Sequence, residues 1–302
     1  MPVSRAFKPA QRLAWLACAI ALMAGGTAAA AETPMLDCGG LPCAKIQIAD
    51  GKTLTLAVDT GNSNTVLDLA RAKALGLVLS PLLDREQKPR PGLFTTTLSD
   101  VRLAGEHLGD LKVLVADLSP SISNGTFPSV DGALSYAALK NRRLVLDYRR
   151  HTVGVLASAP DAPCGSSCGA ISYPTFGKRG PPIVVTTGYS VNDQPVTMQV
   201  DTMYAGNLMI YSASIDKLHL RDAASRSAVR YFPYTDGGVD MIVGKVDKEA
   251  FGIEAGQTDA PIYFPTAKVH QPDGMFDGTV GKEAFLGRVV NLDFGTNQFW
   301  LS

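Results

Sequence analysis

The chain has 302 residues, with 28 basic and 28 acidic side chains, so its formal net charge is zero. A balanced charge without a basic stripe argues against nucleic acid as a partner. The length is sufficient for two domains of ordinary size. The four histidines lack the spacing of a metal site, so we expect neither a metal nor another cofactor. They are His107, His151, His219 and His270.

The N-terminal segment, 1–31, has the features of a secretory signal peptide. Three basic residues, Arg5, Lys8 and Arg12, come before an apolar segment, and small residues follow as far as Ala31. This order predicts cleavage near Ala31 and export to the periplasm or secretion. An uncleaved membrane anchor is the alternative. The apolar segment is shorter than a membrane span requires, so we expect no stable anchor.

Four cysteines remain after the predicted cleavage site. An even number of cysteines in an exported chain indicates disulfides. One close pair precedes each half of the chain, so the natural pairs are Cys38–Cys43 and Cys164–Cys168. Three pairings are possible on sequence alone. A four-cysteine metal site is a weaker alternative, because the two pairs precede different halves.

One short pattern occurs twice. An apolar strand, an Asp-Thr turn and a second apolar strand are predicted at 57–67 and again at 199–210. The aspartates of the two turns, Asp59 and Asp201, are 142 residues apart (201 − 59). Before each turn, alternating apolar residues flank a turn sequence, Asp50-Gly51 in the first case, which is typical of a hairpin.

The repeat continues beyond the two turns. A short helix is predicted at 69–75 and its counterpart at 212–218. Further along, Asp131-Gly132 matches Asp277-Gly278, and 144–148 matches 290–294, both with an offset of 146 residues (277 − 131). Matched landmarks in the same order predict a duplicated domain, hence two lobes rather than a solenoid.

Runs rich in Val, Leu, Ile and Thr between Gly, Pro, Asn and Asp turns predict a mostly β architecture. We place the first lobe at 32–158 and the second at 159–302, with a linker at 157–163.

On these residues the chain resembles the two-lobed aspartic peptidases of the pepsin and retropepsin kind. The resemblance rests on the Asp59 turn, the Asp201 turn and the apolar-Asp-Gly-x-apolar-Gly element at 276–281. It extends from about Ile46 to the C-terminus. It implies two β-barrel-like lobes with a central cleft. It also implies an Asp59/Asp201 dyad that holds a water and hydrolyses a peptide or protein substrate. We expect a monomer.

The resemblance also assigns supporting roles. Thr60 and Thr202 would hydrogen-bond across the lobe interface, and Gly61 would let the backbone pass close to the opposite lobe. The family covers its cleft with a hairpin that often carries a tyrosine. The first-lobe hairpin near 88–96 has Phe94 but no tyrosine, so the alternative is a larger cover from the second lobe, which has Tyr231, Tyr234 and Gly237-Gly238.

Two residues depart from the family pattern. Met203 and Ser135 stand where the family has glycine. We expect Met203 to fill a gap beside Asp201, since methionine adapts to irregular space. The alternative is a catalytically degenerate protein of the same fold that binds a peptide or ligand without cleaving it.

Overall fold

The protein is described by a computed structural model. The residues it describes are 31–123, 125, 128–158, 168–175, 180–225, 228–232, 239–246, 248–251, 254–255, 260–265 and 274–302. The predicted signal peptide therefore lies outside the described residues, apart from Ala31. No helix in the described part of the chain is long and apolar enough to cross a membrane.

The described residues are mostly β. The strands of the first half are β1 (Glu32–Pro34), β2 (Leu36–Cys38), β3 (Leu41–Gln47), β4 (Thr53–Asp59), β5 (Val66–Asp68), β6 (Ser80–Leu83), β7 (Pro89–Leu103), β8 (Glu106–Ala116), β9 (Gly132–Ser135), β10 (Arg142–Asp147) and β11 (Thr152–Ala157). Those of the second half are β12 (Gly169–Ser172), β13 (Val185–Val191), β14 (Gln194–Val200), β15 (Leu208–Ile210), β16 (Ala228–Phe232), β17 (Val239–Val246), β18 (Glu249–Phe251), β19 (Glu254–Ala255), β20 (Ala260–Pro265), β21 (Gly278–Val280), β22 (Val289–Asp293) and β23 (Gln298–Leu301). The helices are short: α1 (Leu69–Ala74), α2 (Ser119–Ser123), α3 (Ser212–Ile215), α4 (Arg221–Ser225) and α5 (Lys282–Phe285).

The order of the strands shows the duplication directly. One sheet runs β2-β3-β4-β9-β5-β8-β7-β6, and part of the other runs β12-β13-β14-β21-β15-β20-β17-β16. The pairings agree as well: β4–β9 and β14–β21 are parallel, whereas β5–β9 and β15–β21 are antiparallel. We call the β2–β6 sheet, with its helices, the first lobe. The matching part of the other sheet, from β12 to β16, with its helices, is the second lobe. The predicted mostly β, two-lobed fold is thus confirmed.

The two lobes are joined by strands from both halves of the chain. The order β1-β11-β10-β22-β23-β12 brings three strands of the first half beside three of the second. At its centre Val145 on β10 is paired with Asn291 on β22. These two residues are also 146 residues apart, the offset of the sequence landmarks. An approximate two-fold axis therefore relates the halves at this pair.

Buried apolar side chains fill each lobe because their sequence alternates along the strands. In the first lobe Ile46, Leu54, Leu56 and Val58 are at most 1% exposed. The hairpin between β3 and β4 turns at Asp50 and Gly51, both with positive φ, as the Asp-Gly sequence predicts. In this way the hydrophobic pattern holds β4, and the aspartate at its end, in the centre of the sheet.

Some local predictions need adjustment. The helix predicted at 212–218 ends at Ile215 as α3, and single turns continue to His219, which adopts a positive φ of 55° without being glycine. The first-lobe hairpin predicted near 88–96 is formed by β6 and the start of β7 and turns at 84–88, earlier than predicted. Residues 233–238 of its second-lobe alternative lie outside the described residues. Residues 159–167 lie outside the described part, so the lobe boundary and linker stay predictions.

The cysteines agree with the predicted pairing where they are described. Cys38 and Cys43 form a disulfide that closes the β2–β3 hairpin. Cys168 is also disulfide-bonded. Its predicted partner, Cys164, lies outside the described residues.

Candidate active site

The two aspartates occupy matching places at the centre of the two lobes. Asp59 is the last residue of β4, and Asp201 directly follows β14. Beside them, β9 and β21 run parallel to these strands and begin with Gly132 and Gly278. A Cβ on either glycine would overlap a main-chain carbonyl of the antiparallel neighbouring strand, that of Val66 on β5 or that of Met209 on β15. The Asp-Gly elements therefore need glycine because two strands approach each other closely there.

Thr60 and Thr202 connect the two aspartate turns across the lobe interface. The backbone N–H of Thr60 donates to the hydroxyl of Thr202 at 3.1 Å, and that of Thr202 donates to the hydroxyl of Thr60 at 3.1 Å. Each hydroxyl then donates to a carbonyl of the opposite lobe, Thr60 to Val200 and Thr202 to Val58. Both threonines are fully buried. The reciprocal bonds hold the two turns face to face.

Each carboxyl accepts hydrogen bonds from the backbone of its own turn. Asp59 accepts from Gly61 at 3.0 Å and also from the amide of Asn62. Asp201 accepts from Met203 at 2.9 Å and from Tyr204 at 3.2 Å. These amides orient both carboxyls and favour their charged form.

Burial has the opposite and larger effect on these groups. It raises the pKa of Asp59, and the negative charge of Asp201 raises that pKa further. Burial also raises the pKa of Asp201, against the hydrogen bonds from Met203 and Tyr204. Two interacting carboxyls titrate as a pair, so the pair retains a proton at a pH where isolated aspartates have lost theirs.

Gly61 in the first turn lies very close to the carboxyl of Asp201 in the opposite lobe. A Cβ at residue 61 would lie within 3.0 Å of all three carboxyl atoms of Asp201. The glycine is thus required by its contact with the second lobe and not by its own backbone angles.

Met203, which stands at the equivalent place in the second turn, directs its side chain into the first lobe. There it packs against a small apolar cluster of Cys43, Ala57 and Ala133. The backbone N–H of Met203 still donates to Asp201, as that of Gly61 does to Asp59.

Ser135, the other departure from the family pattern, is accommodated by a local hydrogen bond. It is 1% exposed, and its hydroxyl lies 3.1 Å from that of Thr65. Its counterpart, Gly281, has no such space, since a Cβ there would overlap the carbonyl of Tyr204. The duplicated motif therefore tolerates a side chain in one lobe and excludes it in the other.

Sequence reasoning missed the function of the two later landmark aspartates. Asp131 accepts from the amide of Thr55 at 2.8 Å and forms an ion pair with Arg71 on α1. Asp277 accepts from the amide of Thr197 at 2.9 Å, pairs with Lys217 just after α3, and accepts from the hydroxyl of Ser214 on α3 at 2.7 Å. Each therefore ties a helix to the strand that leads to an aspartate turn. A basic residue 60 positions before each aspartate was the available signal.

Sequence reasoning also missed Gln199, which lies two residues before Asp201. Its side-chain amide donates to the carbonyl of Gly61 at 3.2 Å, which is a further contact between the lobes. A groove of about 680 Å³ begins close to the first turn. It is lined by Ser63, Asn64, Tyr136, Ala137, Lys140, Asn141, Tyr173, Pro182, Phe294, Gly295 and Asn297.

Within the described residues, no group of three or more His, Cys, Asp or Glu side chains is placed to hold a metal ion. The site consists of two part-buried carboxyls, main-chain amides and hydroxyl groups. Such an arrangement can bind and activate a water molecule by proton transfer.

The chain is similar to known proteins in structure but not in sequence. No protein-family model matches the chain, and no curated protein matches it in sequence. Among solved structures the chain is similar to Basic 7S globulin from soybean, with a TM-score of 0.50 and 12% identity over 90% of this chain and 95% of that chain. At this identity the similarity shows the fold alone. The fold of this chain is accordingly the pepsin-like arrangement of two β lobes.

Proposed function

We propose that the protein is an aspartic-type endopeptidase that uses Asp59 and Asp201 as its catalytic pair. The observation that carries the proposal is the placement of two part-buried carboxyls on duplicated turns, joined by the reciprocal hydrogen bonds of Thr60 and Thr202. The raised pKa of both carboxyls supports it, because a shared proton supplies one acid and one base.

In the proposed reaction a water molecule lies between the two carboxyls. The ionised carboxyl of the pair takes a proton from this water as its oxygen attacks the peptide carbonyl carbon. The protonated carboxyl gives its proton to the carbonyl oxygen, which forms a neutral tetrahedral diol. Collapse of the diol transfers a proton to the leaving nitrogen and breaks the C–N bond.

The substrate would be an extended segment of a peptide or protein. The groove beside Ser63 and Asn64 has a volume of about 680 Å³, and Tyr136, Tyr173 and Phe294 give it an aromatic wall. An extended peptide can bind in such a groove through main-chain hydrogen bonds, with side-chain pockets adding preference.

A second candidate is a peptide-binding protein of the same fold that does not cleave. The position of Met203 favours it, because the side chain lies beside the catalytic pair where the other turn has only Gly61. Export to the periplasm or secretion is a further proposal that fits the N-terminal sequence and the disulfides.

The test is digestion of a peptide library across pH 3 to 8 by the wild type, Asp59→Asn and Asp201→Asn. The Asp50→Asn variant is the matched control, since Asp50 is exposed and its turn geometry suits asparagine. We expect cleavage by the wild type and the control, favoured at acid pH, and a loss of at least about 1000-fold in both dyad variants. Binding of peptides without cleavage at any pH would select the second candidate.

A further inference from the structure

A small apolar patch on the first lobe lies directly beside the proposed catalytic pair. Side chains two residues apart on a strand share a face, so Ala57 points to the same side of β4 as Asp59. Ala133 pairs with Ala57 on the neighbouring β9, and Cys43 pairs with it on β3. Because the carboxyl of Asp59 interacts with that of Asp201 in the opposite lobe, this patch faces the interface between the lobes.

The patch is nevertheless closed. Cys43, Ala57 and Ala133 are at most 1% exposed, although their own side chains are small. Leu36, Cys38, Val130 and Met203 pack against them, and Cys38 is the disulfide partner of Cys43. Met203, which is partly buried, is the one of the four that comes from the opposite lobe. Because it follows Asp201 by two residues, Met203 covers the part of the patch nearest the proposed pair.

The equivalent place in the second lobe is filled differently. Its corresponding residues are Val185, Gln199 and Thr279, which are paired on β13, β14 and β21 in the same register. Gly61, the counterpart of Met203, has no side chain to cover them. Instead Gln199 reaches out and donates to the carbonyl of Gly61.

We propose that Met203 determines the size of the substrate side chain accepted beside Asp59. This inference rests on the proposed function and assigns it a substrate class: extended peptides with glycine or alanine at the residue that lies over the patch. A larger side chain has no space there while Met203 covers Cys43, Ala57 and Ala133. The patch has no polar side chain. Removal of the Met203 side chain that covers it therefore creates a pocket for a leucine-sized apolar side chain.

Truncation of Met203 should reverse the preference. The Met203→Ala variant removes most of the side chain and keeps the backbone N–H that donates to Asp201. Burial of one leucine side chain corresponds to roughly 10- to 100-fold in affinity. The Met203→Leu variant retains a side chain of similar volume and is the conservative control. The double variant Met203→Ala/Ala57→Leu refills the space from the first lobe.

The experiment measures binding of three non-cleavable peptide analogues in which a hydroxyethylene group replaces the scissile amide. One has glycine on both sides of this group, and the other two have leucine on one side or the other. We expect the wild type and Met203→Leu to bind the glycine analogue at least about tenfold tighter than one leucine analogue. Met203→Ala should prefer that leucine analogue by a similar factor, and the double variant should return to the glycine analogue.

Equal preferences in the wild type and in Met203→Ala would overturn the inference, and so would no binding of any analogue to either protein. Thermal melting of each variant establishes that it is folded. If the preference between analogues shifts in Met203→Ala but is not restored by adding Ala57→Leu, the assignment to this patch is contradicted. Turnover of the cleavable counterparts is measured separately. Reversal of binding without any turnover would leave the size selection intact and reject the peptidase function.

Discussion

In the first lobe the turn after Asp59 contains Gly61, and the opposite strand presents the large side chain of Gln199. In the second lobe the turn after Asp201 contains Met203, and the opposite strands present Ala57 and Ala133. A small residue on one side therefore always faces a large residue on the other. A duplicated site can thus keep its backbone while large and small side chains change places across the interface between the lobes.

The main-chain contacts of the two turns, by contrast, are the same in both lobes. Thr60 and Thr202 exchange equivalent hydrogen bonds, and two amides reach each carboxyl. Symmetry is retained where buried polar groups must be satisfied and is lost where only space must be filled.

The largest expected effect is on the symmetric part of the site. The Thr60→Val and Thr202→Val variants each remove a buried hydroxyl and leave an N–H and a carbonyl of the opposite lobe without their partner. We expect each to lower the free energy of unfolding by about 3 kcal/mol. Chemical denaturation at neutral pH measures both. A difference of more than about 1.5 kcal/mol between the two variants would show that the halves are not equivalent.

Gly61→Ala tests the asymmetric part. The added methyl group would meet the carboxyl of Asp201, which must move. We expect a loss of roughly 100-fold in kcat/KM, because a shift of about 1 Å misplaces a catalytic group. Asp50→Asn, at an exposed turn outside the site, serves as the comparison. Peptide turnover with a glycine-flanked substrate measures both variants, and equal activities would disprove the close approach of Gly61 to Asp201.

The pH dependence of stability tests the environment of the pair. The pKa of Asp59 is raised in the folded protein, so the folded state holds a proton that the unfolded state has lost above about pH 4. Stability then falls as pH rises, whereas Asp59→Asn does not titrate at this position.

We therefore expect Asp59→Asn to gain roughly 1 to 2 kcal/mol relative to the wild type between about pH 4 and pH 7, with allowance for partial solvent exposure. Thermal or chemical unfolding at several pH values measures the difference. Asp50→Asn, at an exposed turn, should show no such trend. A constant difference between Asp59→Asn and the wild type would mean that burial does not disfavour the charged form.

The smallest effect is expected at Ser135. Replacement by glycine restores the residue of the other lobe but removes the hydrogen bond to Thr65. We expect Ser135→Gly to lose about 1 kcal/mol in stability with activity unchanged. Unfolding and turnover of the same preparation distinguish these effects. A gain in stability would indicate that serine is strained here, as a side chain would be at Gly281.

The sequence by itself determined the duplicated β fold and the Asp59 and Asp201 turns. These depend on local patterns, namely alternation along a strand, turn residues and matched spacing, which can be read without knowing what lies opposite. The threonine contacts followed only from the family resemblance, and the Cys38–Cys43 pairing was one of three that the sequence allowed. The ion pairs of Asp131 with Arg71 and of Asp277 with Lys217 join residues far apart in sequence. Their landmarks were visible in the sequence, but their contacts were not.

Only the tertiary structure decided where Met203 goes. In the sequence it is a substitution of glycine beside Asp201, with no sign of the space that receives it. That space is formed by small residues on three neighbouring strands of the other lobe, which meet Met203 only when both lobes are folded and in contact. Packing volume is a property of the assembled interface, and a single sequence does not reveal which residues meet across it.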